Sequence, residues 1–320
     1  MRRQGWKGQP LSNLLAKFGI GIALVVEIIL FSILSPYFFS SDNILNVTLQ
    51  ASITAIIAVG MTFVILTSGI DLSVGALVAF TGVVVTSLLK LPLSFPVLFP
   101  LAALAGILIG MMSGAFAGMF VTRFNITPFI VTLALMTIWR GAAYLYTDGR
   151  PVWGLPDQFS FLGSGRLAGV PVPTILMVLI YAAAYVALNK TTFGRYVYAV
   201  GGNKEAARLA GINTNRILLS VYMLCGGLAS LSGLLLASRM NSGQPNSGLM
   251  YELDVIAAVV VGGTSLFGGR GSIIGTFMGA MLIGILRNGL NLLNVNSYIQ
   301  QVVVGVVILL SVLMDRRRTS

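Results

Sequence analysis

The chain has 320 residues, 56% of them hydrophobic and only 9% charged, where soluble domains carry roughly 25% charged residues. Lys and Arg number 20 against 9 Asp and Glu, and mean hydropathy is +0.92. So few charges cannot cover a soluble protein of this size, so the bilayer is the main solvent; with no histidine and a single cysteine, Cys225, triads using His and most metal sites are excluded.

The basic start imitates a secretory signal. The apolar stretch behind it is long, contains Glu27 and lacks a small-x-small cleavage pattern before Pro36, so it reads as a retained first membrane helix over about 18–37. Apolar runs near the 20 residues that a span needs continue along the chain. They predict helices over about 49–67, 72–89, 98–122 and 127–146. A polar segment follows at 147–173, then a helix over about 174–188 and the most polar internal stretch, 190–216. Four more helices are predicted over about 217–237, 255–263 (short or broken), 272–293 and 298–314. The expectation is an all-α polytopic membrane protein of about ten transmembrane helices, a single domain over 1–320.

Ten spans put both termini on one side, and the distribution of Lys and Arg selects that side. With both termini cytoplasmic, the inside carries Arg2, Arg3, Lys7, Lys17, Arg123, Lys190, Arg195, Lys204, Arg208, Arg216, Arg270 and Arg316 to Arg318. The outside and outer helix halves carry only Lys90, Arg140, Arg150, Arg166, Arg239 and Arg287. The 190–216 segment is then cytoplasmic, and 147–173 and 239–253 face outward.

In GILIGMMSGAFAG, Gly106, Gly110, Gly114 and Gly118 recur every fourth position. That spacing puts them on one helix face, where missing side chains let a second backbone approach. Gly271, Gly275 and Gly279 form another such ridge, and Ala229 with Gly233 a shorter one. Cys225 reads as a small packing residue. A shift of 200 aligns Ile56, Ala58, Val59, Leu66, Gly69 and Gly75 with Ile256, Ala258, Val259, Leu266, Gly269 and Gly275, a repeat that composition bias leaves open.

Three segments stand out. In VILTSGIDLSVGA, Asp71 lies in an apolar region flanked by Gly69 and Gly75. Either it or Ser68 caps the next helix, or the segment is a gate or pathway element; a broken helix there must face protein or water. In YELDVIAAVVVGGTSLFGGRGSIIG, the spacing of Gly269, Gly271 and Gly275 misses a dinucleotide loop by one residue. Gly268, Gly269, Arg270 and Gly271 instead suit a tight re-entrant turn, while Glu252 and Asp254 read as a solvated helix start or a contact for an external partner. In GGNKEAARLAG, Asn203 is a good N-cap, Glu205 sits in the first turn and Gly211 suits the C′ position. Such a helix is too short to stand alone, so it docks on a partner or lies on the membrane as a linker. No phosphate-binding loop of the GxxxxGK[ST] kind occurs.

At Glu205-Ala206-Ala207-x3-Gly211 the chain resembles the EAA loop of ABC importer permeases. GMTFVILTSGIDLSVGA, GRYVYAVGGNKEAARLAGI and YELDVIAAVVVGGTSLFGGRG, in that order and spacing, resemble the ribose/xylose/galactose-type monosaccharide permeases, with ribose the nearest group. The general EAA pattern continues to Ile-x-Leu-Pro, where this chain reads VYML without proline. The resemblance implies a bacterial inner-membrane permease that works as a homodimer among membrane lipid. A cytoplasmic ABC ATPase would bind the ATP and a periplasmic or extracellular sugar-binding protein would deliver substrate. Coupling to the ATPase would fall to Asn203, Glu205, Ala206, Ala207, Arg208 and Gly211. No catalytic residue, cofactor, metal or nucleic acid is expected in this chain. A secondary transporter would instead depend on Glu27, Asp71 and Arg140, and an intramembrane enzyme on a Ser–Lys or Asp pair.

Overall fold

The computed structural model describes residues 11–319. Arg2, Arg3 and Lys7, counted above for orientation, lie outside the described residues, as do the side chains of Lys17 and of Arg316 to Arg318. The first half holds α1 (Leu11–Leu34), α2 (Ser41–Leu66), α3 (Val74–Leu88), α4 (Phe95–Arg123) and α5 (Pro128–Thr147). Then come α6 (Asp157–Ser164), a hairpin of β1 (Arg166–Leu167) and β2 (Val170–Pro171), α7 (Val172–Lys190), α8 (Thr192–Gly202) and α9 (Lys204–Leu209). The chain closes with α10 (Thr214–Met240), α11 (Tyr251–Val261), α12 (Ile273–Leu292) and α13 (Ser297–Thr319).

Each segment read from the sequence as a helix is helical. Among the described residues, six helices (α2, α4, α5, α7, α10 and α12) are long and apolar enough to cross a membrane, and shorter apolar helices occupy Gly19–Leu34, Val74–Leu88 and Ser297–Leu310. The largest internal difference is at α2, which begins at Ser41 rather than near position 49. Its first turns are polar, and the start is set by a cap: the Ser40 hydroxyl accepts the Asn43 N–H. Asn43 then exchanges two side-chain hydrogen bonds with Asn288 of α12, at 3.0 and 2.9 Å, so neither buried amide is unsatisfied there.

Residues 147–173 are more structured than a polar connection. Helix α6 packs on the end of α10, where the Ser238 hydroxyl donates to the Phe159 carbonyl and accepts the Gly163 N–H at 2.7 Å. Val152 pairs with Gly243, so the two segments expected on the outer side share one end of the bundle. Phe159, Leu155, Val85, Leu98 and Leu234 form a small apolar cluster there.

The core is centred on α2 and α10, which run antiparallel. Ser232 donates to the Ile53 carbonyl at 2.9 Å, and a Cβ added at Gly60 would lie 2.6 Å from Cys225 Cα. Cys225 is fully buried at this seam, as its size suggests. The ridge of α4 lies against the other side of α10. Added Cβ atoms at Gly110, Gly114 and Gly118 would fall on the Gly226 carbonyl, the Tyr222 carbonyl and Leu219 Cα respectively, while Gly106 faces Val85 of α3. The opposite face of α4 exposes Leu101, Leu104, Leu108, Met112, Phe116 and Met119. Small residues face protein and large ones face outward, as lipid-solvated packing requires. The second ridge works the same way: Gly275 and Gly279 sit against the Gly262 and Ala258 carbonyls, joining α12 to α11. Gly233 lies against the Val78 carbonyl, joining α10 to α3. These ridges pack within one chain.

Leu at position 114 must displace the α10 backbone at Tyr222 and Met223, whereas Glu205 is exposed. Gly114→Leu is therefore expected to abolish recovery of monodisperse protein in detergent, and Glu205→Ala to leave it unchanged. Size-exclusion profiles of the two variants check this; normal recovery of Gly114→Leu would overturn the seam.

Candidate functional site

Helix α2 ends because the chain turns at Thr67–Ser73. Ser68 adopts a left-handed φ of 62°, and the Gly69 N–H closes the turn onto the Val64 carbonyl. Asp71 is 1% exposed and is not the cap of α3. Its Oδ1 accepts the Ser73 N–H at 2.9 Å and the Ser73 hydroxyl at 2.6 Å, an Asx turn that sets the chain up to re-enter a helix at Val74. Ser68 does not cap α3 either, because its hydroxyl turns away to donate to the Phe267 carbonyl at 2.8 Å. The break is held from outside by Thr132 of α5, which donates to the Ile70 carbonyl.

A second break lies between α11 and α12. Gly263, Gly268 and Gly269 have φ of 85°, 83° and 70°, values that disfavour any side chain. They fold residues 262–272 into the tight turn expected there. Arg270 has its carbonyl bonded to the Ser265 N–H, and Gly271 packs on Thr264. Both breaks reach the same end of the bundle and touch: the Gly269 N–H donates to the Leu66 carbonyl at 2.9 Å. One layer deeper, Thr62 and Thr276 share a hydrogen bond of 2.7 Å.

The third participant is α8 with α9. Tyr198 of α8 donates its hydroxyl to the Gly271 carbonyl at 2.8 Å, and burial pushes that phenol above its ordinary range. Gly201 lies against the Leu66 carbonyl and Gly269. Asn203 then caps α9, its Oδ1 accepting the Ala206 N–H at 2.9 Å. The other end of α9 is a Schellman turn: Gly211 takes a φ of 85°, its N–H bonds the Arg208 carbonyl, and the Ile212 N–H bonds the Ala207 carbonyl. Glu205 and Arg208 form an exposed ion pair at 3.0 Å. The small residues divide: Ala207 is buried, whereas Ala206 and Ala210 are exposed and Leu209 is 82% exposed. A cavity of about 490 Å³ opens beside this meeting point, lined among others by Ser68, Gly69, Asn125, Gly201, Lys204 and Tyr222.

Glu252 and Asp254 do not form a solvated helix start. The chain re-enters the bundle over 241–250, so α11 begins inside it, with Gly75 of α3 packed on the Gly248 carbonyl and on Glu252 Oε2. Asp254 is 4% exposed and bonds Arg287 of α12 at 2.6 Å. Arg140 secures the re-entrant segment by donating to the carbonyls of Pro245 and Ser247 at 2.9 and 2.7 Å. Neither arrangement was legible in the sequence, because the pairs lie far apart in the chain.

The family model described as "Branched-chain amino acid transport system / permease component" matches residues 43–312. The chain belongs to this permease family. It is 50% identical over 301 residues to the ribose import permease protein of Escherichia coli K12, covering 93% of this chain and 92% of that one. It is 48% identical over 310 residues to the ribose import permease protein of Bacillus subtilis, covering 96% and 95%. The L-arabinose transport system permease protein of Escherichia coli K12 is 38% identical over 300 residues, 94% of this chain and 90% of that one. No solved structure matches. The permease is thus a multi-pass protein of the bacterial inner membrane, a transport component rather than an enzyme.

Asp254 is buried while Arg287 is partly exposed, so removing Arg287 strands the buried carboxylate. Arg287→Met is expected to lower unfolding stability by about 3 kcal/mol, and the double variant Asp254→Leu/Arg287→Met to regain most of it. Thermal unfolding in detergent decides this; equal stability of the single variant and the wild type would contradict it.

Proposed function

We propose that this permease is the membrane-spanning subunit of an ATP-driven, binding-protein-dependent importer of a monosaccharide, with ribose the first substrate. Two copies would form the pathway, with about ten crossings each and both termini cytoplasmic. The observation that carries the reading is α9: a short helix, capped at both ends and exposed, joined through Gly201 and Gly202 to two helix breaks. A helix of 6 residues has no independent stability, so its outward face, with Glu205, Ala206 and Leu209, suits a groove on a partner. The basic residues Arg123, Lys190, Arg195, Arg216 and Arg270 belong to the same end of the chain's helices, which supports a cytoplasmic side there. The ribose assignment rests on the named relatives.

The work of the subunit is mechanical. ATP binding to the partner favours one arrangement of the two permease copies over another, and the difference in affinity sets the size of the shift. Residues Asn203 to Gly211 would receive that displacement, and the breaks around Ser68–Gly75 and Gly268–Gly271 would respond. The glycine seams would keep the remaining helices moving as blocks.

In liposomes holding the permease, its ATPase and trapped ATP, radiolabelled ribose with its binding protein is expected to accumulate, and to continue doing so when proton and sodium gradients are collapsed. Uptake that needs an ion gradient and no ATP would replace the importer by a secondary transporter.

A further inference from the structure

Three chain segments remote in sequence meet at one point, and they meet through backbone. The end of α2 supplies the Leu66 carbonyl and the Ser68 hydroxyl; the α11–α12 turn supplies the Phe267 carbonyl and the Gly269 N–H; α8 supplies Gly201. The Ser68 hydroxyl also lies 3.4 Å from the Gly201 carbonyl, so one hydroxyl touches both other segments. A Cβ at Gly201 would fall on the Leu66 carbonyl and 2.7 Å from Gly269 N; one at Gly269 would lie 2.9 Å from Gly202 Cα; one at Gly268 would strike the Ser68 hydroxyl. The contact has no room for side chains on three of its sides. Only Gly202 separates it from Asn203, the cap of α9.

We propose that Ser68 and Gly201 are positioning residues for transport: they clamp the base of α9 to both helix breaks, so that a displacement of α9 moves the two breaks together. This rests on the importer reading above. The physical reason is stiffness. A single backbone step cannot lengthen, one main-chain hydrogen bond joins Gly269 to Leu66, and Gly201 lies directly against both, so among the described residues the only side chain in the joint is the short one of Ser68. Ser68 holds a left-handed backbone that costs a residue with a Cβ, and its hydroxyl is the part that spans the three segments. The neighbouring cavity of about 490 Å³ leaves the joint free space on one flank.

Glycine at position 68 adopts the same left-handed backbone with no Cβ to strain it, and it removes the serine CH2OH group that makes the bridging hydrogen bonds. The experiment compares wild type, Ser68→Gly and Gly201→Ala in the complete complex, measuring ATP hydrolysed and ribose imported in the same liposomes, with co-purification of the ATPase as a control. A merely structural defect lowers both rates and leaves their ratio unchanged. The joint predicts that the ATPase stays bound and active while ATP consumed per ribose rises about tenfold, in Ser68→Gly first and also in Gly201→Ala wherever that variant folds. An unchanged ratio in Ser68→Gly overturns the joint, whatever happens to the absolute rate. A wild-type chain that neither binds an ATPase nor uses ATP overturns the importer reading, and the joint with it.

Discussion

Everything in this bundle depends on backbones lying against backbones. In lipid, apolar side chains gain little by leaving the tails for a neighbouring helix, so close packing must supply the association. Helix α10 meets α4 at Gly110 and Gly114, α2 at Gly60 and α3 at Gly233, and at each point a single methyl would collide with main chain or with Cys225. α12 meets α11 by the same means at Gly275 and Gly279. Glycine costs about 1 kcal/mol per position in a helix; here contact along the whole seam offsets that cost. Polar side chains add specific contacts between helices, as with Asn43 and Asn288 or Thr62 and Thr276.

The same device takes on a second role at one end of the molecule. Along the seams, glycine joins helices over several turns. At Gly201, Gly268 and Gly269 it joins the last turn of α8 to two helix breaks at a single point, where the left-handed Gly268 and Gly269 replace helical regularity. A seam holds two helices along their length, whereas this contact ties three segments at one place. The distribution of glycine therefore separates long helix–helix seams from the one place where three remote segments touch. Helix α9 adjoins that place and presents Leu209 to the outside, which suits transmission of movement from a partner.

Much of this was legible in the sequence where the signal is local. Four-residue glycine spacing, long uncharged runs, and the Asn203 and Gly211 signals around α9 each depend on neighbours along the chain. The middle of α4 could be oriented from size, since its glycines are inward and Leu101, Leu104, Leu108, Met112 and Phe116 are outward. What escaped was set by distant partners. Asp254 reads as a solvated helix start until Arg287, from another helix, is beside it. Asp71 has the composition of a cap, but its bonds to Ser73 make it a turn residue instead. The polar segment before α7 gave no periodic signal long enough to reveal α6, whose 8 residues are fixed by Ser238 of α10. The partner of each glycine ridge was equally invisible, because a ridge specifies that something approaches and not what.

Whether a cytoplasmic partner moves this permease through α9 is decided by affinity purification of the chain from its native membrane in mild detergent. A stoichiometric soluble ATPase is expected in the eluate, lost when Glu205 and Gly211 are both replaced while the permease itself is still recovered. Purification of the wild-type chain alone, or retention of the ATPase by the doubly replaced chain, would contradict it.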